Sequence, residues 1–191
     1  MPTDPPLPEP DDRALLAAIA GGGHLARAAL GALYERHATA LQGFLRRLLP
    51  CSDIDDVLHD TFLCAARRSA QFRGDSARAW LCRLAGDRAA DLRRSQSRRN
   101  QRERRAARPE RMEGAPQPAG SPELERALAA LPKRWQVALE LRFGAGLTHA
   151  QVAEVLGVSL RTAKDWGRRA QALLEEHLAE DPGPRTQRRT P

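Results

Sequence analysis

Four carboxylates and one imidazole crowd the stretch SDIDDVLHDTF, Ser52 to Phe62: Asp53, Asp55, Asp56, His59 and Asp60. Groups of these types could share a proton, bind a cation or meet a basic partner. At 100° per residue, Asp53, Asp56 and Asp60 share one narrow sector of a helix, and Ile54, Leu58, Thr61, Phe62 and Ala65 lie opposite. Ser52 reads as the N-cap, with Asp53, Asp55 and Asp56 in the first turn, where the helix dipole favours negative charge. Capping and a solvated face account for the acids but not for their alignment. In a chain of net charge +7, a carboxylate stripe fits docking onto a basic protein surface and would repel nucleic-acid phosphate.

Other chemistry finds little footing. Cys51, Cys64 and Cys82 form no CxxC pair, and their odd number argues against a disulfide framework. With His59 or His37 they lack zinc-ligand spacing, so buried or half-buried free thiols are expected. The chain contains no GxxxxGK[ST], GxSxG or HExxH motif. No catalytic residue, metal, cofactor or small-molecule substrate is expected, and the chain does not read as an enzyme.

The elements that must position the stripe are helical. Apolar residues make up 41% of the 191 residues but aromatics only 4%, and Ala, Leu and Arg dominate over β-branched types. The expected fold is all-α: two small helical domains joined by an Arg/Pro-rich linker, the second containing a helix-turn-helix. A disordered arm and short helix are expected over 1–24, the helix lying near Arg13–Ala20 and ended by Gly21–Gly23. The first domain spans 25–95. Leu30, Leu33, Tyr34, His37, Leu41, Phe44, Leu45 and Leu48 predict one long amphipathic helix stopped by Pro50. The acidic helix runs to about Ser69, and another, with Trp80, Leu81 and Leu84 inward, covers about Ala77–Arg94.

Residues 96–121 hold seven basic and three acidic residues, and Pro109, Pro116 and Pro118, and read as a linker that begins as a frayed helical extension. The second domain covers 122–180, and 181–191 form a flexible tail. Within the second domain, Thr148 and Gln151 suit a capping box, Gly157 a turn and Ser159 the next cap, which is a helix-turn-helix arrangement. Its second helix leaves Arg161, Thr162, Lys164, Asp165, Arg168 and Arg169 outward, a set suited to bases and phosphates. No segment approaches the apolar length of a membrane span, and the acidic, Pro-rich start is unlike a secretory leader, so a cytoplasmic location without membrane insertion is expected.

Two blocks together carry a resemblance. ALAALPKRWQVALELRF with LTHAQVAEVLGVSLRTAK resembles the promoter-upstream-element-binding domain of bacterial RNA polymerase sigma factors. LYERHATALQGFLRRLL, DIDDVLHDTF and FRGDSARAWLCRLAGDRAADLRR resemble the core-binding and downstream-element-melting domain. Two such domains without a third between them resemble the extracytoplasmic-function class.

The resemblance implies a sigma factor that binds core RNA polymerase and promoter DNA, and the family often has an anti-sigma partner. It implies polymerase contacts at Asp53, Asp56, His59 and Asp60. It implies downstream-element contacts at Gln71, Phe72, Arg73, Asp75, Ser76, Arg78, Arg83, Asp87 and Arg88, with a flipped base at the Gln71–Ser76 loop. Upstream-element contacts fall on Ser159, Arg161, Thr162, Lys164, Asp165, Arg168 and Arg169. The sequence departs from the family at Gly86, at Asp87, where Asn is common, and at Asp165, Trp166 and Gly167. Trp166 either fills the space beside Gly167 or reaches a thymine methyl. The alternative readings are a stand-alone helix-turn-helix regulator and a sigma-like protein that has lost promoter recognition.

Overall fold

The computed structural model describes residues 10–106 and 122–180, and among them there is no β-strand. The expected arm up to residue 9, the Pro-rich part of the linker and the tail lie outside these residues. Eight helices follow in order: α1 (Asp12–Gly21), α2 (Gly23–Arg46), α3 (Cys51–Arg68), α4 (Ala77–Ala106), α5 (Pro122–Ala130), α6 (Lys133–Leu139), α7 (His149–Leu156) and α8 (Leu160–Glu180).

The first four helices build one unit. Asp11 caps α1 by accepting from the Ala14 amide at 2.7 Å, and Gly22 ends it at φ 74°, a left-handed value suited to glycine. The α1 helix buries Leu15, Leu16 and Ile19 against α2. The α2 pattern holds throughout: Leu33, His37, Leu41, Phe44 and Leu45 are all buried. The α3 helix starts two residues earlier than expected, at Cys51, with Pro50 in the cap position. Ser52 is therefore not the cap. It lies inside the first turn and donates its hydroxyl to Asp53 at 3.3 Å. The fixed φ of proline suits the entry to a helix, which explains the shift. A single 3₁₀ turn, Ser69–Gln71, leads into the loop before α4.

The α4 helix runs on past Arg94, where the apolar pattern stops, to Ala106. Arg, Gln, Glu and Ala are good helix formers, so the helix continues without an apolar sequence pattern to guide it. In the second unit the α6 helix widens into a π-helical turn, Glu140–Gly144. Thr148 and Gln151 make both bonds of the capping box, and Gly157 turns the chain at φ 64°. Ser159 Oγ accepts from the Thr162 amide at 3.0 Å, as expected of a cap.

The core is continuous across both units. Phe44, Leu45, Leu58, Leu81 and Ala85 of the first belong to one buried cluster with Val137, Ala138, Leu141, Leu147, Val152 and Ala163 of the second. A smaller cluster, Leu131, Leu139 and Ala170, with Trp135 and Leu174 at its edge, holds α5, α6 and α8 together.

Candidate functional site

The α3 surface is as its spacing predicts. Asp56, His59 and Asp60 are exposed, and Ile54, Val57, Leu58, Thr61 and Phe62 are buried beneath them. Thr61 satisfies its hydroxyl on the Val57 carbonyl at 2.7 Å, so the polar residue on the buried face is internally paired. Leu63, 38% exposed, extends the open face towards Arg67. Asp53 differs from its neighbours. It is partly covered, and its carboxylate accepts from Gln96 Nε2 at 2.9 Å, tying the start of α3 to α4.

Between α3 and α4, Phe72 packs against Trp80 with ring centroids 5.3 Å apart. Trp80 is thus half-buried beside the loop. Ser76 Oγ accepts from the Ala79 amide at 3.1 Å and starts α4. Arg73 turns back onto the Ala70 and Phe72 carbonyls. Phe72, Asp75, Ser76 and Arg78 line a cleft of about 520 Å³, whereas Gln71 and Arg73 lie exposed outside its wall. The cleft is completed by Asp12 and Arg13 of α1, Arg36 and His37 of α2, and Gly146, Leu147 and Gln151 of the second unit. Sequence reasoning named none of these as site residues. His37 carried a signal, since it is a polar residue at an apolar phase of α2.

Arg83, Asp87 and Arg88 sit further along α4 and away from the cleft. Arg83 reaches Glu154 at 3.5 Å, and Asp87 is exposed. Arg88 is half-buried, with Nη2 3.8 Å from Cys64 Sγ and Nε buried without a hydrogen-bond partner. Of the thiols, Cys64 and Cys82 are buried and Cys51 is exposed. The described residues include no group of His, Cys, Asp and Glu arranged to hold a metal ion, and no helix long and apolar enough to cross a membrane.

The α8 helix gathers its expected residues on one side. Arg161, Thr162, Lys164, Asp165, Arg168 and Arg169 line a single open groove with Leu160. Asp165 accepts from both arginines, from Arg168 at 3.0 Å and from Arg169 at 3.1 Å. The space beside Gly167 is taken by the His149 ring, 3.5 Å from where a Cβ would sit. Trp166 lies under the Arg134 guanidinium, 5.9 Å from the ring centroid.

An acidic, apolar-backed helix in one unit and a basic helix-turn-helix in the other match a known pairing. Residues 33–99 match sigma-70 region 2, and residues 121–174 match sigma-70 region 4. The RNA polymerase sigma factor NccH of Alcaligenes xylosoxydans xylosoxydans is 30% identical over 187 residues, covering 90% of this chain and 95% of that protein. This chain is an extracytoplasmic-function sigma factor of the sigma-70 family. It directs promoter-specific transcription initiation by RNA polymerase and is not an enzyme. The sigma factor is also 28% identical to the ECF RNA polymerase sigma-E factor of Haemophilus influenzae, over 87% of its own length and 95% of that relative. The solved structure of CnrH in complex with the cytosolic domain of CnrY superposes with a TM-score of 0.62 at 29% identity, covering 89% of the sigma factor and 98% of that chain.

Besides the exposed Arg83–Glu154 contact, Arg47 and Arg78 join the units of the sigma factor. Arg47, at the end of α2, contacts Glu125 at 3.2 Å and Glu140 at 3.3 Å, all three largely buried. Burial alone would lower the Arg47 pKa, but the two carboxylates outweigh it and hold it above the usual arginine value. Gly43 lets Glu140 approach, because a Cβ there would sit 2.5 Å from Glu140 Oε1. Arg78 Nη1 donates to the Ala145 carbonyl at 3.1 Å.

Proposed function

We propose a division of labour between the two units. The exposed stripe Asp56, His59 and Asp60 docks on a basic surface of core RNA polymerase, with Asp53 setting the pose of α3 from its bond to Gln96. Opposite charge there adds steering and register. The loop Gln71–Ser76, with Phe72 packed on Trp80, captures an unstacked base of the downstream element, and Arg78, Arg83 and Arg88 follow the strand along α4. Asp87 lies exposed on that same helix. The groove of α8, capped by Ser159, reads the upstream element.

The acidic stripe is the observation that carries this reading. Three ionisable side chains stay in water on a helix whose other face is fully packed, in a protein otherwise rich in arginine. CnrH is held by the cytosolic domain of CnrY, and a protein inhibitor of the same kind is proposed for this chain, acting on the joined units.

Gel filtration with bacterial core polymerase at moderate salt, without DNA, tests the docking. Co-elution that is lost in Asp56→Arg with Asp60→Arg, at unchanged helicity, is the expected result. Unaltered co-elution of that variant would remove α3 from the interface.

A further inference from the structure

His37 is a buried polar residue that packing alone does not account for. It is 1% exposed, on the apolar face of a long helix, and nothing in the proposed recognition of polymerase or DNA uses it. Its two ring nitrogens are nonetheless both engaged. Nε2 lies 2.9 Å from Asp12 Oδ2, and Nδ1 lies 3.2 Å from Arg78 Nε. Arginine has no acceptor, so Nδ1 must accept and Nε2 must carry the hydrogen donated to Asp12. The ring is therefore neutral and held in one tautomer. Arg78 in turn points Nη1 at the Ala145 carbonyl, 3.1 Å away in the second unit. That carbonyl lies just past the π-helical turn, where chain ends leave carbonyls without helical partners. Gly146, at φ 67°, lies beside the guanidinium.

We propose that Asp12 and His37 are positioning residues for Arg78, and that the relay Asp12–His37–Arg78–Ala145 latches the second unit over the loop before α4. While the latch is closed, Arg78 is committed to a protein carbonyl, and Gly146, Leu147 and Gln151 wall the cleft that contains Phe72, Asp75 and Ser76. Opening frees both together. The consequence for DNA rests on the proposed role of this loop; the latch itself does not.

The charged groups around the ring set its response to pH. Asp12 and Arg13 come from α1, Arg36 from α2, and Asp75 and Arg78 from the loop and α4; the second unit contributes only Gly146, Leu147 and Gln151 to the cleft. Burial lowers the His37 pKa, Asp12 opposes this, and Arg78 and Arg36 add to the lowering. A proton on Nδ1 would remove the acceptor and set a second cation against Arg78. Because the closed state resists protonation, its advantage is complete above about pH 6.5 and shrinks as pH falls below it.

The test uses the free full-length chain with spin labels on Cys51, which is exposed, and on Gln171→Cys. Cys64 and Cys82 are buried, and burial pushes the Cys82 thiol up to about 12, so neither competes for label. Electron-electron double resonance should show one short distance at pH 8 and a growing longer one below about pH 6.5. His37→Gln keeps an acceptor and a donor but cannot titrate, so its distances should stay short at both pH values. Arg78→Ala should give the longer distance throughout. A pH response that survives in His37→Gln, or wild-type distances in Arg78→Ala, would overturn the latch.

His37→Phe separates the latch from its consequence. It should open the chain and tighten binding of a single-stranded downstream-element oligonucleotide about tenfold, if the closed state leaves about a tenth of molecules competent. Opening without tighter binding would uphold the latch and overturn the loop's assignment to DNA.

Discussion

The acids of α3 and Asp165 of α8 are the same chemistry in opposite surroundings. Asp56 and Asp60 stand exposed, aligned and backed by a buried apolar face. Asp165 is half-covered and shared between Arg168 and Arg169 on the first half of α8, which is otherwise basic. The first arrangement leaves negative charge available to an outside partner. The second uses it internally, lowering the positive charge that a phosphate backbone would meet. A carboxylate's role follows from what already neutralises it.

Four tests would break or sharpen that contrast. Asp56→Arg with Asp60→Arg should weaken polymerase binding by about 3 kcal/mol, roughly two orders of magnitude in Kd, because like charges would then face each other. Binding to upstream-element duplex should be unchanged, which a fluorescence anisotropy titration would check. Equal loss on both partners would mean that the two faces do not act separately.

Arg47→Ala comes next. It strands the largely buried carboxylates of Glu125 and Glu140 and should cost about 2–3 kcal/mol in a urea unfolding titration. This pair is charge used between units, a third case beside the free and the locally shared acids.

Arg161→Ala or Lys164→Ala should lower upstream-element affinity by about 1–3 kcal/mol with relaxed sequence preference if the side chain reaches a base. An equal loss on every duplex would assign it to phosphate. Asp165→Asn should have the smallest effect and the opposite sign. Arg168 and Arg169, both well exposed, become available to phosphate, so binding to random duplex should tighten by less than about tenfold and its salt dependence should steepen by about one to two phosphate contacts. A salt dependence equal to wild type would show that the clasp does not hold in solution.

Most of the local architecture was legible in the sequence. The stripe on α3, the capping box of Thr148 and Gln151, the turn at Gly157 and the outward set on α8 all depend on residues three or four apart. The Asp165 clasp has the same short spacing and could have been read from it. Ser52 was misplaced because Pro50 and Ser52 compete for one helix start and both are good candidates. The reach of α4 to Ala106 was underestimated because helix ends were read from apolar periodicity, and the sequence of that stretch has none.

By itself, then, the sequence determined an all-α chain, its helix boundaries to within a few residues except at the end of α4, the acidic and basic faces, and the family that those faces and their order imply. Tertiary structure alone decided how Arg47 and Arg78 are used. Asp12 and His37 are 25 positions apart, His37 and Arg78 are 41, and Arg47 and Glu140 are 93. No helical period relates residues so distant. Their meeting is set by how α1 docks on α2 and by how one continuous core draws the second unit against the first.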